Sequence, residues 1–238
     1  MKKVLHREST RGKADFGWLQ ANYSFSFANY YDPQRLQFGL LRVLNDDYVA
    51  PKMGFGKHPH KNMEIVTIPQ SGSLRHEDSM GNSEIIYAGE IQLMSAGSGV
   101  EHSELNASNT EPVKLFQIWI FPDTENVEPR YQQKKIAPLL VKNKLTAIIK
   151  PKNEAKENEL WIHQNAYFNL GDFSETTEIV YKLNKPNHGA YIFVINGSLS
   201  TENEILEKRD ALGVWDFEEI KLKIEKDSRI LIIEVPLN

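Results

Sequence analysis

Cysteine is absent from this chain of 238 residues. That excludes disulfides, thiolate metal sites and a cysteine nucleophile, and it fits a reducing compartment. No stretch approaches the run of about 20 apolar residues that a membrane-spanning helix needs, so no span is expected. The opening residues, MKKVLHRESTRGKADFGW, carry two lysines and no apolar core behind them, so they do not read as a secretory signal. A charge excess is missing too. With 28 basic and 32 acidic side chains the net charge is −4, which offers no general attraction to nucleic acid or to an anionic membrane. A soluble cytoplasmic protein is the expectation.

What is present is a chain of short apolar runs. Residues 1–35 are irregular and rich in aromatics, among them Phe16, Trp18, Tyr23, Phe25, Phe27, Tyr30 and Tyr31. From residue 38 onward the runs FGLLRVLNDD, MEIVTIPQSG, SEIIYAGEIQLMSAG and VKLFQIWIFP alternate with Gly, Pro and Asn turns. Runs this short, with frequent β-branched residues, predict an all-β sandwich or barrel. Residues 123–160 are polar and carry PKNEAKENE, which predicts a crossing segment and an exposed loop. The strand pattern then resumes with LWIHQNAYFNL, EIVYKL and AYIFVI, and Asn196-Gly197 predicts a hairpin turn. GEIQLMSAG followed by LFQIWIFP is matched in the second half by ALGVWDF followed by ILIIEVP. The reading is a duplicated β domain, residues 1–135 and 136–238, whose second copy carries neither HxH nor HxE.

Two dyads stand out, His58-Pro59-His60 and His102-Ser103-Glu104. Residues i and i+2 of a strand share a face, so each dyad aims both side chains into one space. Three of the chain's seven histidines lie in these dyads, each just after a glycine-rich turn, Gly54-Phe55-Gly56 or Gly97-Ser98-Gly99. Three imidazoles and one carboxylate suit a first-row transition ion. The block His76-Glu77-Asp78-Ser79-Met80-Gly81-Asn82 reads as a hairpin whose polar groups satisfy their own loop, with support of a ligand histidine as the functional alternative. His163 and His188 are isolated and carry no functional expectation, and His6 reads as part of a segment bracing the barrel. The lysines from 134 to 156, interleaved with glutamates, read as a solvated face.

GFGKHPHKNMEIVTIPQSG resembles the first cupin motif, and GEIQLMSAGSGVEHSELN, with His102 and Asn106, resembles the second. More closely, RGKADFGWL, SFANYYDP, LRVLNDD, FGKHPHKNMEI, HEDSMGN and MSAGSGVEHSE occur in the order of a pirin. The resemblance covers about the first 130 residues densely. It implies a bicupin of two β-sandwich or jelly-roll barrels, the N-terminal one holding a single metal and the C-terminal one degenerate. The pirin ligand pattern falls on His58, His60, His102 and Glu104. Many other cupins use the carboxylate of the first motif, here Glu64. Glu104 is favoured because it shares a face with His102, which leaves Glu64 a supporting role; Glu64 stays the alternative.

The resemblance favours iron(II), although such a site also accepts manganese, nickel, cobalt, copper or zinc. It further implies a quercetin 2,3-dioxygenase: the flavonol 3-hydroxyl loses its proton, with Glu104 as the base, and dioxygen cleaves the heterocycle with release of carbon monoxide. Phe55, Met63, Phe116 and Ile118 are expected near the pocket. The implied partners are a flavonol and dioxygen. The competing class is a non-enzymatic, metal-sensing regulatory protein with a protein partner, and a third reading is a cupin isomerase or a different oxygenase.

Overall fold

Burial alternates with period two in runs such as VEHSELN and EIKLKI, whereas EIVTIPQS, HGAYIFVIN and SRILIIEVP are buried on both faces. The structure, a computed structural model, describes residues 1–237. The first half contributes β1 (Lys2–His6), β2 (Gly12–Asp15), β3 (Leu19–Tyr23), β4 (Leu41–Val49), β5 (Gly54–His60), β6 (Glu64–Ser71), β7 (Ser73–Asp78), β8 (Ser83–Tyr87), β9 (Glu90–Ser95), β10 (Val100–Asn106), β11 (Val113–Ile120) and β12 (Arg130–Lys135). The second contributes β13 (Thr146–Pro151), β14 (Leu160–Ile162), β15 (Tyr167–Phe173), β16 (Thr177–Lys182), β17 (His188–Asn196), β18 (Ser198–Ser200), β19 (Ile205–Glu207), β20 (Ala211–Trp215), β21 (Glu219–Ile224) and β22 (Ser228–Pro236). Helix is confined to two single 3₁₀ turns among the described residues, and no helix is long and apolar enough to cross a membrane.

Each half pairs a seven-stranded sheet with a four-stranded one. The first half has the orders β12-β9-β6-β11-β4-β3-β2 and β5-β10-β7-β8; the second has β1-β20-β17-β22-β15-β13-β14 and β16-β21-β18-β19. The duplication read from the sequence is therefore a duplication of sheets, with β9, β6 and β11 standing where β20, β17 and β22 stand in the second half. One strand crosses over. β1, from the start of the chain, pairs antiparallel with β20, and β12 closes the same edge of the first sheet by pairing with β9. An unpaired edge invites wrong partners, and these two strands cover both. Residues 1–135 and 136–238 thus remain our proposed division, corrected by the transfer of β1 to the second unit.

Two local expectations fail for physical reasons. Residues 123–160 are not simply loop, because RYQQKK forms β12, an edge strand whose residues are mostly half-buried, and TAIIKP forms β13. Asn196-Gly197 is a corner rather than a hairpin. β17 lies in the seven-stranded sheet while β18 pairs with β19 and β21 in the other. Gly197, at φ +76°, turns the chain between sheets against Ser228, where a Cβ would meet the serine Oγ at 2.1 Å.

The largest apolar cluster joins the halves. Leu44, Val66, Ile68, Phe116 and Ile118 from the first pack with Ile149, Phe168, Tyr191, Phe193, Leu231 and Ile233 from the second. The two large sheets therefore meet back to back. Phe116 and Ile118, expected near the pocket, belong to this seam instead. The interior of the second barrel is filled by Ile192, Val194, Leu212, Ile220, Leu222 and Ile232. The first holds an apolar cluster with Tyr23, Leu74, Ile86 and Leu115 beside buried polar side chains, and the candidate site lies among the latter.

Candidate metal centre

Along β10 burial alternates, so that Val100, His102, Glu104 and Asn106 face the interior and Glu101 faces solvent. β5 runs antiparallel beside it with His102 directly opposite His58, and a bulge then shifts the register so that Glu104 faces Phe55. Gly54 permits this close approach: its φ is +157°, and a Cβ there would lie 2.2 Å from the Glu104 carbonyl oxygen. The three imidazoles converge. Ring centroids are 4.4 Å apart for His58 and His102, and 4.8 Å for His60 with either of the others. Their ligating nitrogens lie within 4.8 Å of one another. Trp119 stands edge-on to His60 at 5.0 Å, and Phe55 stands edge-on to His58 at 6.4 Å.

The polar atoms fit a cation. His58 Nδ1 donates to the Gly56 carbonyl at 2.7 Å, which leaves Nε2 as the free lone pair. His102 Nε2 is buried and has no hydrogen-bond partner, an atom whose desolvation goes uncompensated unless something binds it. Burial, reinforced by the neighbouring histidines, lowers His60 to about 4 and His102 to about 3, so both rings are neutral near pH 7. Neutral imidazoles with converging lone pairs are what a divalent transition ion requires.

Glu104 shares the inner face but stands in a second group. Its oxygen lies within 4.8 Å of ligating atoms of His76 and His102. Gln117 Nε2 donates to Glu104 Oε2 at 2.9 Å. The single hydroxyl proton of Thr67 is shared between Gln117 Oε1 at 3.1 Å and Glu104 Oε1 at 3.3 Å. His102 is common to both groups. Glu64 belongs to neither. It projects from the opposite face of β6 to Thr67, where Ser95 Oγ donates to it at 2.7 Å and Arg130 Nη1 reaches the same serine at 3.2 Å. Burial raises its carboxyl to about 7.

His76 does more than the turn chemistry around it suggests. The hairpin expected from the sequence is present, with Asp78 Oδ1 accepting from Met80 N and Asn82 N, but His76 itself points inward and is fully buried. It lies opposite Glu104 in the β7–β10 ladder. Its Nε2 donates to Asp78 Oδ2 at 3.0 Å, and Gln92 Nε2 donates to its Nδ1 at 3.0 Å. Burial alone would raise Asp78, but the hydrogen bonds from His76 and Asn82 outweigh it and hold the carboxyl below its usual range. A row of buried polar side chains was missed as well: Asn45, Gln117, Thr67 and Gln92 lie side by side across β4, β11, β6 and β9. For Thr67, Gln92 and Gln117 the signal was a lone polar residue inside an apolar run, whereas Asn45 opens the polar triplet Asn45-Asp46-Asp47. His163 and His188 lie elsewhere, the first edge-on to Trp161 and the second bonded through Nδ1 to buried Glu234 at 3.0 Å.

An open hollow of about 550 Å³ adjoins His60, lined also by Pro59, Lys61, Ser79, Gly99, Val100 and Glu101. A larger one, about 900 Å³, lies over β16, β18 and β21 and touches none of the site residues.

Comparison with known proteins fits this geometry. Residues 4–120 match the family described as Pirin, and residues 151–235 match the quercetinase C-terminal cupin domain. A protein of Escherichia coli named quercetin 2,3-dioxygenase is 38% identical over 232 residues, 98% of each chain. A relative in Zymomonas mobilis is 40% identical over 222 residues, 93% of each chain. Among solved structures, the bacterial pirin YhhW of E. coli in complex with nickel(II) superposes with a TM-score of 0.92 at 36% identity, covering 99% of both chains. A quercetin 2,3-dioxygenase of Acinetobacter baumannii shares the fold, with a TM-score of 0.76 at 20% identity, over 99% of this chain and 78% of that one.

Proposed function

The chain belongs to the pirin family and has the bicupin fold, and on that premise we propose that it is a metal-dependent dioxygenase opening quercetin-like flavonols. The proposed donors are His58, His60, His102 and Glu104. The observation that carries the reading is the convergence of three imidazoles from two adjacent strands around the unpartnered His102 Nε2. The name of the full-length E. coli relative supports the substrate class. Fold alone supports no substrate.

A divalent ion held by His58, His60, His102 and Glu104 would supply Lewis-acid and redox chemistry toward the flavonol and dioxygen. Iron(II) is the first choice, with manganese, nickel, cobalt, copper and zinc as alternatives. The remaining work falls to the chain. Glu104 is the base placed to take the hydroxyl proton. Gln117 and Thr67 hold its carboxylate in one orientation, so the acceptor oxygen is fixed before substrate arrives. Trp119 packs edge-on against His60 and Phe55 against His58, and an open hollow beside His60 gives access from solvent.

The test is the loss of quercetin absorbance under air, with protein loaded with iron(II), manganese(II) or nickel(II). Wild type turns over with at least one ion. His60→Ala and Glu104→Ala lower the rate by at least about 100-fold. Wild-type turnover in either variant contradicts the assignment. Tight metal binding without flavonol turnover under any ion favours the metal-sensing interaction protein instead.

A further inference from the structure

Behind His102 stands a pair of side chains that the proposed reaction does not use. His76 and Asp78 both have fully buried side chains, and they face each other through Nε2 and Oδ2 at 3.0 Å. A carboxylate oxygen accepts hydrogen bonds, so a proton of His76 sits on Nε2, and the Gln92 amide directed at Nδ1 marks that nitrogen as the acceptor. Two groups point at that lone pair: Gln92 Nε2 at 3.0 Å and His102 Nδ1 at 3.4 Å. The second contact is long for a hydrogen bond, but it is the partner His102 Nδ1 has, and His102 Nε2 has none. A buried imidazole with one N–H places it where an acceptor waits. For His102 that position is Nδ1.

We propose that Asp78 and His76 are positioning residues that fix His102 as the Nδ1–H tautomer, so that Nε2 is left free to ligate an ion beside His58 and His60. The proposal rests on the reading of His102 as a ligand. Strand register builds the relay: in the β7–β10 ladder Asp78 is directly opposite His102, and His76 is directly opposite Glu104. Tyr131 packs over the His76 ring with centroids 5.0 Å apart and limits its rotation. The amide of Gln92 is oriented in keeping with this assignment, with Nε2 turned to His76 Nδ1 and Oε1 left without a partner. Ligand histidines commonly rely on such an outer partner, and its removal weakens metal binding by about 10–100-fold.

Asp78→Asn tests the relay without changing shape. Its amide can donate to His76 Nε2, which drives the His76 proton to Nδ1 and sets it against the N–H of His102. Nitrogen-15 NMR of the metal-free protein, with labelled histidine, reads both tautomers directly. Nickel(II) affinity, measured by competition with a chelator, reads the consequence. Wild type is expected to show His76 protonated at Nε2 and His102 at Nδ1. Asp78→Asn is expected to move at least one of these protons and to weaken nickel by about 10–100-fold. His76→Gln keeps an acceptor for His102 and loses less affinity than His76→Leu. A wild-type His102 protonated at Nε2 overturns the proposal, as does wild-type nickel affinity in Asp78→Asn. If wild-type protein binds no nickel while the tautomers are as stated, the relay stands and the metal reading of the site fails.

Discussion

At the scale of single residues, the first barrel is distinguished by polar side chains placed where a barrel ordinarily carries aliphatics. Gln117 is central, because one amide both donates to Glu104 and accepts from Thr67. Replacing it with Leu leaves a buried carboxylate short of a donor, which costs about 1–3 kcal/mol. Urea unfolding of Gln117→Leu should give an unfolding free energy lower by that amount, through a lower midpoint at an unchanged slope; an unaltered midpoint would mean that Glu104 is held by something else. The two dyads were legible in the sequence because the strand period of two is strict. His76 was not, because HEDSMGN carries turn chemistry at one end and an inward strand at the other, and turn residues dominate such a reading. Asn45, Thr67, Gln92 and Gln117 were illegible one at a time. Only the register of four strands brings them into a row.

At the scale of elements, the site is made by the pairing of β5 with β10. The same pairing recurs in the second half between β16 and β21, where Tyr181 lies opposite Ile220 and Ile179 opposite Leu222. There the inward side chains of β21 are Ile220, Leu222 and Ile224, all buried in apolar core. One scaffold thus carries inward polar side chains on this strand pair in one copy and an apolar core in the other, and the difference lies in which residues face inward. The glycine frame read from the sequence acts unequally. Gly54 touches the backbone of β10, whereas nothing lies within 4 Å of a Cβ built on Gly56. Gly54→Ala must push β5 away from β10 and separate His58 from His102. Its nickel affinity is expected to fall by at least about tenfold, and that of Gly56→Ala to hold. Equal effects from the two substitutions would remove the close approach as the cause.

At the scale of the whole molecule, the two halves are joined by a shared apolar seam, and Glu64 lies on the same face of β6 as the seam residues Val66 and Ile68. Arg130 and Trp161 cross the same seam, with the guanidinium 3.5 Å above the indole and its Nη1 donating to the Trp161 carbonyl. Buried Glu64 has its pKa raised from 4.5 to about 7, so the folded protein binds its proton more tightly than the unfolded chain. Its contribution is fully present below the unfolded pKa and is lost as pH rises through about 7, a decline of about 3 kcal/mol across that window. Glu64→Gln cannot ionise. Unfolding free energies measured from pH 5 to pH 8 should fall less steeply in this variant than in wild type, leaving it the more stable protein at pH 8. Parallel curves would show that Glu64 stays ionised in the seam. The all-β class and the repeat were legible in the sequence because short runs and their order carry them. The crossing of β1 into the second sheet was not, since nothing in Lys2–His6 says which of two open edges it will close.

The central claim is that His58, His60 and His102 are one metal centre. Anomalous diffraction at the nickel edge, from crystals grown of nickel-loaded protein, tests it most directly. The account predicts a single strong peak per chain within about 2.2 Å of one nitrogen from each of the three rings. A peak that leaves any of the three histidines uncoordinated, or density at none of them, would contradict it.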